Sequence, residues 1–453
     1  MPSDTSHDLA ASYAEHLEAL RARFDRELEA CGYAGVLIAS GTPPAVFRDD
    51  QAYPFRVNAW FKAWTPLADA PDCFLYYQPG HPPRLLFHQP RDYWYKPPAL
   101  PEGYWTAHVE VLPTADRAGA RAALPANLSR FAWIGEDCPE RAAWGLAAAN
   151  PPELLQRLEY ERAIKSPYEL DCMRIASIRA ARGHAAAARA FAAGASEFEI
   201  HLAFLEACGQ REQELPYNAI VALNESGSVL HYQLLERRAP ATMHSLLIDA
   251  GAEFAGYASD VTRTHSFADA DFAALIARSD ELQQSLCASV HAGIDWRDVH
   301  LSAHRLLAEL LQEAEITSCD AEEAVDTGVS SVFMPHGIGH LLGLQVHDVG
   351  GWQRAAEGGE IPRPEGHPFL RLTRVLQPGF VVTMEPGMYF IDQLLAEARG
   401  DARASRINWP RIESLRKFGG IRIEDDLAVT SSGSENLTRD AFATAAAEPR
   451  AAR

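Results

Sequence analysis

Four carboxylates and one imidazole stand in short strand and turn motifs of the second half of the chain, and they restrict the folds that it can adopt. In chain order these residues are Asp249, Asp260, His340, Glu385 and Glu424. A fold that gathers them needs cations between them, because four unpaired carboxylates repel one another in a small space. Oxygen-rich sites with one histidine suit hard or borderline divalent ions, and two such ions can share bridging carboxylates. The pattern therefore predicts a dinuclear metallohydrolase.

The motifs around these residues predict extended chain and turns. LLIDAGAEFAGYASDVTRT carries Asp249 and Asp260 in two β-rich runs on either side of a glycine-bounded turn. A hairpin can bring both carboxylates to one place. In HGIGH, which ends at His340, two glycines argue against the helix that a His-x-x-x-His zinc motif requires. Arg422 and Glu424 are two residues apart in IRIED, so a strand puts both on one face.

Each of these motifs also has an ordinary structural explanation. A single Asp in a strand is usually solvated or at a sheet edge, and a glycine turn can carry exposed histidines. Glu before Pro-Gly is a common junction between a strand and a turn. The joint order of all five residues favours a metal centre over these separate explanations.

With 453 residues and an ordinary globular composition, the chain is expected to form two domains, or one large domain with an appendage. A net charge of −20 argues against nucleic acid or an anionic membrane as a partner. Seven scattered cysteines without a Cys-x-x-Cys pattern predict reduced thiols. The start of the chain does not resemble a signal peptide, and no run approaches the roughly 18 apolar residues of a membrane span. We therefore expect a cytoplasmic protein.

Local patterns divide the chain near residue 160. An amphipathic helix over 9–32 precedes strand patterns in AGVLIAS, DCFLYYQ, RLLFHQ and FAWIGED, which predicts an α/β domain over 1–160. The second domain, over 161–440, is rich in strand patterns from Pro216 onward and contains long helices around 270–294 and 299–315.

Helix ends give sharper signals. Ser166, Pro167 and Glu169 form a capping box with proline at the first helical position. Ser196 and Glu199 repeat the Ser-x-x-Glu signal, and that helix is expected to run to a glycine at 209. The tail AFATAAAEPRAAR has few large apolar groups, so we expect it to fray.

These segments resemble a known family. The second half of the chain resembles the pita-bread metallopeptidases in DAGAEFAGYASDVTRT, PHGIGHLLGLQVHDVGG, LQPGFVVTMEPGMYFI and GGIRIEDDLAV. Within that family, the resemblance is fullest to bacterial prolidases, which are Xaa-Pro dipeptidases related to organophosphorus acid anhydrolases. Two further segments, FRVNAWFKAWTPL and PYNAIVALNESGSVLHY, also resemble prolidase segments. One difference is that the three residues after LNE are often His-Ala-Ala in bacterial prolidases but are Ser-Gly-Ser in this chain. The implied fold class is α+β, an α/β N-terminal domain followed by a pita-bread domain with a curved antiparallel sheet.

The resemblance implies a role for each ligand. Asp249 would chelate one metal ion, and Asp260 and Glu424 would bridge both ions. His340 and Glu385 would complete the coordination of the second ion. Two divalent ions are implied, Mn²⁺ in the first place, although Co²⁺ or Zn²⁺ would fit the same ligands. Two such cations hold a bridging hydroxide at neutral pH, which attacks a carbonyl that one metal polarises. Glu385 is then placed to accept and pass on a proton.

Other side chains are expected around the metal ions. His347 is the preferred donor to the developing oxyanion, and His336 and His231 are further candidates. For each of these histidines, a structural role with a bond to the backbone is the alternative. Arg422 is expected to hold Asp249 or the bridging carboxylates in place.

Substrate recognition is expected from an arginine and from aromatic residues. Arg371 corresponds by resemblance to the arginine that binds the substrate C-terminal carboxylate in prolidases, and Arg374 is the competing candidate. Aromatic candidates for a proline pocket, which are also typical of a core, are Tyr217, Trp60, Phe61, Trp64 and Trp94. In this family the N-terminal domain of one subunit caps the site of its partner, which implies a homodimer.

The resemblance implies cleavage of Xaa-Pro dipeptides, and phosphotriester hydrolysis as a side activity. An aminopeptidase P, with the same five ligands but longer Xaa-Pro peptides as substrates, is the alternative. A non-catalytic pita-bread binding module is a second alternative of another class. Such modules lose metal ligands, whereas this chain has all five.

Overall fold

The computed structural model describes residues 5–146 and 148–447, without the side chains of 5–8 and 139. Backbone contacts divide the chain into two compact units. The first unit runs to Cys172 and also contains Ala355–Gly359, while the second contains Met173–Arg354 and continues from Glu360.

The first unit is a mixed sheet with helices. Its strands are β1 (Gly35–Ala39), β2 (Phe74–Tyr77), β3 (Arg84–His88), β4 (Glu110–Thr114), β5 (Phe131–Ile134) and β6 (Ala148–Ala149). Its helices are α1 (Thr5–Ala30), α2 (Ala59–Trp64), α3 (Arg117–Ala122), α4 (Pro139–Ala143) and α5 (Pro152–Arg162). The sheet order is β4-β3-β2-β1-β5-β6, and β1 pairs antiparallel with β2 and parallel with β5. The four strands predicted from apolar runs are confirmed, and β1 is buried at every position.

The short helix α2 buries its aromatic side chains in the first unit. Asn58 caps the helix by accepting a hydrogen bond from the backbone N–H of Trp60. Trp60 is 7% exposed, and Phe61 and Trp64 are fully buried. The predicted role in a proline pocket is wrong for these three residues, because side chains with so little exposed surface cannot line an open pocket. Trp94, by contrast, is exposed.

Two further helices begin at the predicted capping boxes. In α6 (Pro167–Ala192), the Ser166 N–H donates to Glu169 Oε2 at 2.8 Å, and the Glu169 N–H donates to Ser166 Oγ at 3.4 Å. In α7 (Glu197–Cys208), Ser196 and Glu199 make the same reciprocal bonds. This helix ends at Gly209, whose φ of 67° is left-handed. Both predictions are confirmed.

The remaining chain alternates strands and helices. Its strands are β7 (Ile220–Leu223), β8 (Ser245–Asp249), β9 (Glu253–Phe254), β10 (Tyr257–Ala258), β11 (Thr262–Ser266), β12 (Gln353–Ala355), β13 (Gly358–Glu360), β14 (Val381–Met384), β15 (Gly387–Tyr389), β16 (Gly420–Arg422), β17 (Asp425–Val429) and β18 (Ser434–Asn436). Its helices are α8 (Ala270–Ser289), α9 (Trp296–Glu313), α10 (Ala321–Asp326), α11 (Val329–Phe333), α12 (Asp392–Arg399), α13 (Trp409–Leu415) and α14 (Leu437–Ala447).

The sheets of the second unit are antiparallel and short. They run β11-β8-β7, β14-β17-β18 and β15-β16. Isolated bridges from Thr262 to Glu424 and from Leu341 to Val382 connect segments that belong to different sheets or turns. Behind β7 and β8, α6 and α7 contribute apolar residues such as Phe204 to a buried cluster that includes Ile248. The predicted α+β class with two successive domains is confirmed.

The C-terminal segment is a helix where we expected a frayed tail. α14 extends to Ala447, and residues 448–453 lie outside the described part of the chain. The Phe442 ring packs 5.9 Å from the ring of His184 and under the guanidinium of Arg263 at 4.8 Å. The prediction is wrong up to Ala447, because one aromatic anchor and an alanine-rich sequence suffice for a docked helix.

All seven cysteines are free thiols, as predicted. Within residues 5–146 and 148–447, every helix is too short or too polar to span a lipid bilayer.

Candidate metal centre

Asp249 and Asp260 are brought together by paired strands. β8 ends at Asp249, which lies opposite Thr262 in the antiparallel register with β11. Between these strands the chain forms the small β9–β10 hairpin. Gly251 allows this path, because a Cβ atom there would lie 1.9 Å from the carbonyl oxygen of Ser259. The two carboxylates are thus joined by the hairpin that the sequence predicts.

Glu424 lies between β16 and β17 and contacts β11 near Asp249 and Asp260. It forms an isolated bridge with Thr262, whose Oγ1 donates to Glu424 Oε2 at 2.7 Å. Thr262 Oγ1 also accepts a hydrogen bond from Arg422 Nε at 3.2 Å. Arg422 and Glu424 are 4% and 2% exposed. Their spacing of two residues therefore directs both side chains to the buried side where Asp249 lies.

His340 and Glu385 come from two segments that lie side by side. The Thr383 N–H donates to the His340 carbonyl at 3.0 Å, and the His340 N–H donates to Thr383 Oγ1 at 3.1 Å. Glycine is required at 339, because a Cβ atom there would lie 2.0 Å from the Thr383 carbonyl oxygen. The Glu385 N–H donates to the Ile338 carbonyl at 2.9 Å. HGIGH is not helical, in agreement with its two glycines.

The imidazole of His340 has the orientation of a metal ligand. Its Nδ1 lies 3.0 Å from the Leu341 carbonyl oxygen, which can only accept, so Nδ1 carries a proton. Its Nε2 points toward Asp260 Oδ2 at 3.5 Å and Glu385 Oε1 at 3.6 Å. Burial lowers the pKa of His340, but the bond to Asp260 and the nearby carboxylates outweigh burial and raise it. The surroundings of Nε2 therefore favour positive charge.

The carboxylates also indicate a cation between them. Ligand atoms of Asp260, His340 and Glu424 lie within 4.8 Å of one another, and all three residues are buried. Burial, then the charges of Asp260 and Glu385, raise the pKa of Glu424 well above its usual range. Burial, opposed by His340 and supported by Asp260, raises the pKa of Glu385 to about 7. These donors cannot all ionise together without added positive charge, so the set fits divalent metal ions.

Asp249 is held on both carboxylate oxygens. Tyr217 donates its hydroxyl to Asp249 Oδ1 at 2.7 Å, and Arg422 Nη2 donates to Oδ2 at 2.7 Å. Arg422 Nη1 donates to the hydroxyl of Tyr389 at 3.0 Å. Tyr389 is in turn 2.9 Å from Nε2 of His336. This network joins Arg422 and His336, which were expected around the metal ions, with Tyr217, which was expected in a proline pocket.

His347 lies beside the ring of His340, with the ring centroids 4.4 Å apart and the planes at 79°. Burial, then the charges of His340 and Arg371, lower the pKa of His347 to about 3, although part of the residue is exposed. A smaller contribution comes from His231, so Arg371 and His231 both lie within electrostatic range of His347. Arg371 and His231 are exposed. The neutral His347 ring keeps an N–H that can donate a hydrogen bond.

Two family models match nearly the whole chain. The model described as the N-terminal domain of Xaa-Pro dipeptidase matches residues 11–160, and that of metallopeptidase family M24 matches residues 171–431. This chain belongs to metallopeptidase family M24. The predicted relation to the pita-bread metallopeptidases is thereby confirmed.

Two similar proteins are named Xaa-Pro dipeptidase. A Xaa-Pro dipeptidase from Xanthomonas axonopodis pv. citri is 47% identical over 440 residues, covering 96% of this chain and 99% of its own. A Xaa-Pro dipeptidase from Stenotrophomonas maltophilia is also 47% identical, covering 97% of this chain and 99% of its own.

Similar solved structures show the fold. Aminopeptidase P from Escherichia coli with the inhibitor Pro-Leu has a TM-score of 0.69 at 22% identity, covering 94% of this chain and 99% of that one. Aminopeptidase PepP from Pseudomonas aeruginosa has a TM-score of 0.68 at 23% identity, covering 97% and 99%. At this identity the likeness extends to the M24 architecture only.

Three residues that hold the candidate ligands or their neighbours are not predicted from the sequence. Thr262 bonds to Glu424, Thr383 bonds to the backbone of His340, and Tyr389 joins Arg422 to His336. A signal was present for the threonines, because each is two residues from a ligand in a strand and so shares its face. Tyr389 had no such signal, since its partners come from distant segments.

Proposed function

We propose that this M24 chain is a Xaa-Pro dipeptidase with two divalent metal ions, Mn²⁺ in the first place, bound by Asp249, Asp260, His340, Glu385 and Glu424. The convergence of these five side chains, each oriented by its neighbours, is the observation on which the proposal rests. Relatives that are 47% identical over almost the full chain and named Xaa-Pro dipeptidase support the substrate class.

The contacts support Asp260 as a bridging ligand. Asp260 Oδ2 is 3.5 Å from His340 Nε2 on one side. On the other side Asp260 interacts with Tyr217, which is bonded to Asp249. Its carboxylate therefore lies between the residue assigned to one metal ion and the residue assigned to the other. Glu424, within 4.8 Å of both Asp260 and His340, is the second bridging candidate.

The chain supplies groups for proton transfer and charge stabilisation. Two bound ions would polarise the scissile carbonyl and lower the pKa of a shared water until it can attack. Glu385, with 18% of its side chain exposed, is positioned to take the proton from the attacking water and deliver it to the leaving nitrogen. The N–H of neutral His347 is positioned to donate to the developing oxyanion.

The surroundings of the two candidate arginines favour Arg371 as the group that binds the substrate carboxylate. Arg374 is 3% exposed, donates from Nη1 to the Gly350 carbonyl at 3.2 Å, and lies 4.8 Å over the Phe380 ring. Arg371 is exposed and close enough to His347 to lower its pKa. A planar guanidinium can engage a carboxylate with two bonds, which a dipeptidase needs in order to recognise a free C-terminus.

Turnover of Ala-Pro, Leu-Pro and Ala-Pro-Ala by the Mn²⁺-loaded protein tests the proposal. We expect hydrolysis of both dipeptides and little hydrolysis of the tripeptide. Preferred cleavage of Ala-Pro-Ala would instead indicate an aminopeptidase P. Absence of turnover on all three by the loaded protein would indicate a binding module.

Two finer proposals have separate tests. Phosphotriester hydrolysis is proposed as a side activity, since a nucleophile that attacks carbonyl carbon can also attack phosphorus, and a chromogenic phosphotriester measures it. A homodimer is proposed from the family pattern. A molar mass of twice the chain mass, measured by light scattering, would support it.

A further inference from the structure

A cluster of three histidines lies in the second unit and belongs to none of the motifs assigned above. His300 and His304 are four residues apart on α9, so their side chains lie on one helix face. His367 comes from the segment before Arg371. The ring centroids are 4.7 Å apart for His300 and His304, 4.6 Å for His300 and His367, and 4.5 Å for His304 and His367. One nitrogen from each ring lies within 4.8 Å of the other two.

The cluster is buried and only partly bonded. His300 and His304 are each 1% exposed. His300 Nε2 is 2.9 Å from His367 Nδ1, and His304 Nδ1 is 3.0 Å from Ser330 Oγ. His300 Nδ1 and His304 Nε2 have no hydrogen-bond partner among residues 5–146 and 148–447. Because a buried polar atom without a partner is unfavourable, Nε2 of His304 favours a ligand bound at the cluster.

The protonation state suits a metal ligand. Burial, and then the neighbouring imidazoles, lower the pKa of His300 to about 2 and that of His304 to about 3. Burial also lowers the pKa of His367. The rings are therefore neutral near pH 7, which is the form that coordinates metal ions.

We propose that His300, His304 and His367 bind a single metal ion of borderline character, Zn²⁺ in the first place, at a site separate from the carboxylate centre. Three imidazoles without a carboxylate suit Zn²⁺ more than Mn²⁺, which prefers oxygen ligands. Zn–N bonds of about 2.0–2.1 Å in a tetrahedron place neighbouring nitrogens about 3.3 Å apart. The 2.9 Å between His300 Nε2 and His367 Nδ1 is close to this spacing, and the His304 nitrogen lies within 4.8 Å of a nitrogen on each of the other two rings.

A neighbouring hydroxyl favours coordination by His304. Metal-bound histidines usually bond their second ring nitrogen to an oxygen, which fixes the ring orientation. Ser330, itself 1% exposed, contacts Nδ1 of His304 in this way and leaves Nε2 as the coordinating atom. Three nitrogen ligands leave one tetrahedral position, which a water can occupy.

The metal ion would anchor the segment that carries Arg371. The His367 N–H donates to the Pro364 carbonyl at 3.1 Å, and the Leu370 N–H donates to the His367 carbonyl at 3.4 Å. The segment is thus a compact turn, and coordination of His367 would attach it to α9. In this respect the site is a positioning device for Arg371, and that part of the inference rests on the proposed function.

Zinc stoichiometry of the full-length protein tests the site. We would load metal-free protein with Zn²⁺, desalt it and count zinc by mass spectrometry. The wild type and the control His291→Gln, which changes an exposed histidine outside the cluster, should hold about one zinc per chain more than His304→Gln or His367→Gln. In an Asp260→Asn/Glu424→Gln background, which disables the carboxylate centre, one zinc per chain should remain. Adding His367→Gln should then remove it, so failure of this site is distinguishable from failure of the proposed dipeptidase centre.

Two structural measurements test the zinc site independently of enzyme activity. An anomalous difference peak between the three rings in zinc-grown crystals, and slower hydrogen exchange of residues 364–371 with Zn²⁺, would support the site. Equal zinc content in wild type and in folded His367→Gln protein, with no such peak, would overturn it. His367 is only partly buried, so this variant remains informative if His304→Gln fails to fold.

Discussion

Arg422 donates from Nη2 to Oδ2 of Asp249 at 2.7 Å, and this bond joins two residues that are far apart in sequence but adjacent in the metal centre. Tyr217 bonds the other oxygen of the same carboxylate. Hydrogen bonds from the protein therefore set the orientation of Asp249.

This bond gives the first prediction. Arg422→Lys removes the guanidinium group that donates hydrogen bonds to Asp249, Tyr389 and Thr262. We expect metal affinity to fall about 10–100-fold, the usual effect of losing a group that orients a ligand. Competition with a chelator measures it, with Arg399→Lys on the exposed surface as control. Unchanged affinity in Arg422→Lys would mean that Asp249 is not a ligand.

The second prediction concerns the bridging carboxylates. Chelation should abolish activity and Mn²⁺ should restore it, while Asp260→Asn or Glu424→Gln should prevent normal two-metal occupancy. A neutral amide in a bridging position leaves charge between the two cations unbalanced. Metal analysis after desalting is the measurement, and Glu413→Gln, which changes an exposed carboxylate, is the control. Two tightly bound ions in both variants would contradict the assignment.

His347 should act in the transition state more than in metal binding. We expect His347→Ala to retain both ions and to lose about 10²–10³-fold in kcat, the range for removing one oxyanion donor. Because the pKa of His347 is lowered to about 3, the ring stays neutral above that pH. His347→Gln should therefore keep the wild-type shape of the kcat profile between pH 6 and 9. A collapse of metal content would make His347 a ligand.

Arg371 should account for the preference for a free C-terminus. A Xaa-Pro-amide substrate loses a charge-assisted pair, which costs on the order of 2–5 kcal/mol, so kcat/KM should fall by well over tenfold. Arg371→Ala should be similarly poor on the acid and the amide, while Arg371→Lys should keep part of the preference. If Arg371→Ala still prefers the acid by the wild-type ratio, then another residue binds the carboxylate.

Buried His184 should make stability depend on pH. Burial lowers its pKa to about 3, while the unfolded chain has about 6.5. Between these values only the unfolded chain binds the proton, so stability is full above about pH 6.5 and is lost as the pH falls. The slope is about 1.4 kcal/mol per pH unit. Denaturant unfolding of metal-free His184→Gln should show a slope lower by about one proton between pH 4 and 6, whereas His291→Gln should match wild type. Equal slopes in both variants would contradict the prediction.

The motifs and their order predicted a set of candidate ligands, of which Asp260, His340 and Glu424 lie within 4.8 Å of one another, but they did not predict how these side chains are held. Asp249 and Asp260 lie close in sequence, so local strand and turn patterns were informative. The bridge between Thr262 and Glu424 joins segments far apart in the chain, and such pairing follows from tertiary packing. The same holds for the histidine cluster, where the spacing of His300 and His304 is visible but the approach of His367 is not.

Two sequence-based predictions are wrong because a second physical effect outweighs the one on which each depends. Trp60, Phe61 and Trp64 were candidates for a proline pocket with a core as the alternative, and the core is correct because the short helix α2 is held by burying these side chains. The scarcity of large apolar residues in the C-terminal tail predicts that it frays. Its alanines favour helix strongly, and one ring at Phe442 was enough to dock it.

The bridge between Thr262 and Glu424 has a consequence for the order of assembly. The proposed ligands extend from residue 249 to residue 424 and cannot meet in an unfolded chain, so the metal ions would bind only after these distant segments have paired. Ions that bind the native state alone add RT ln(1 + [M]/Kd) to its stability, about 2.7 kcal/mol for one site at a hundredfold excess over Kd. The metal supply of the cell would thus control how long the folded enzyme survives as well as how fast it works.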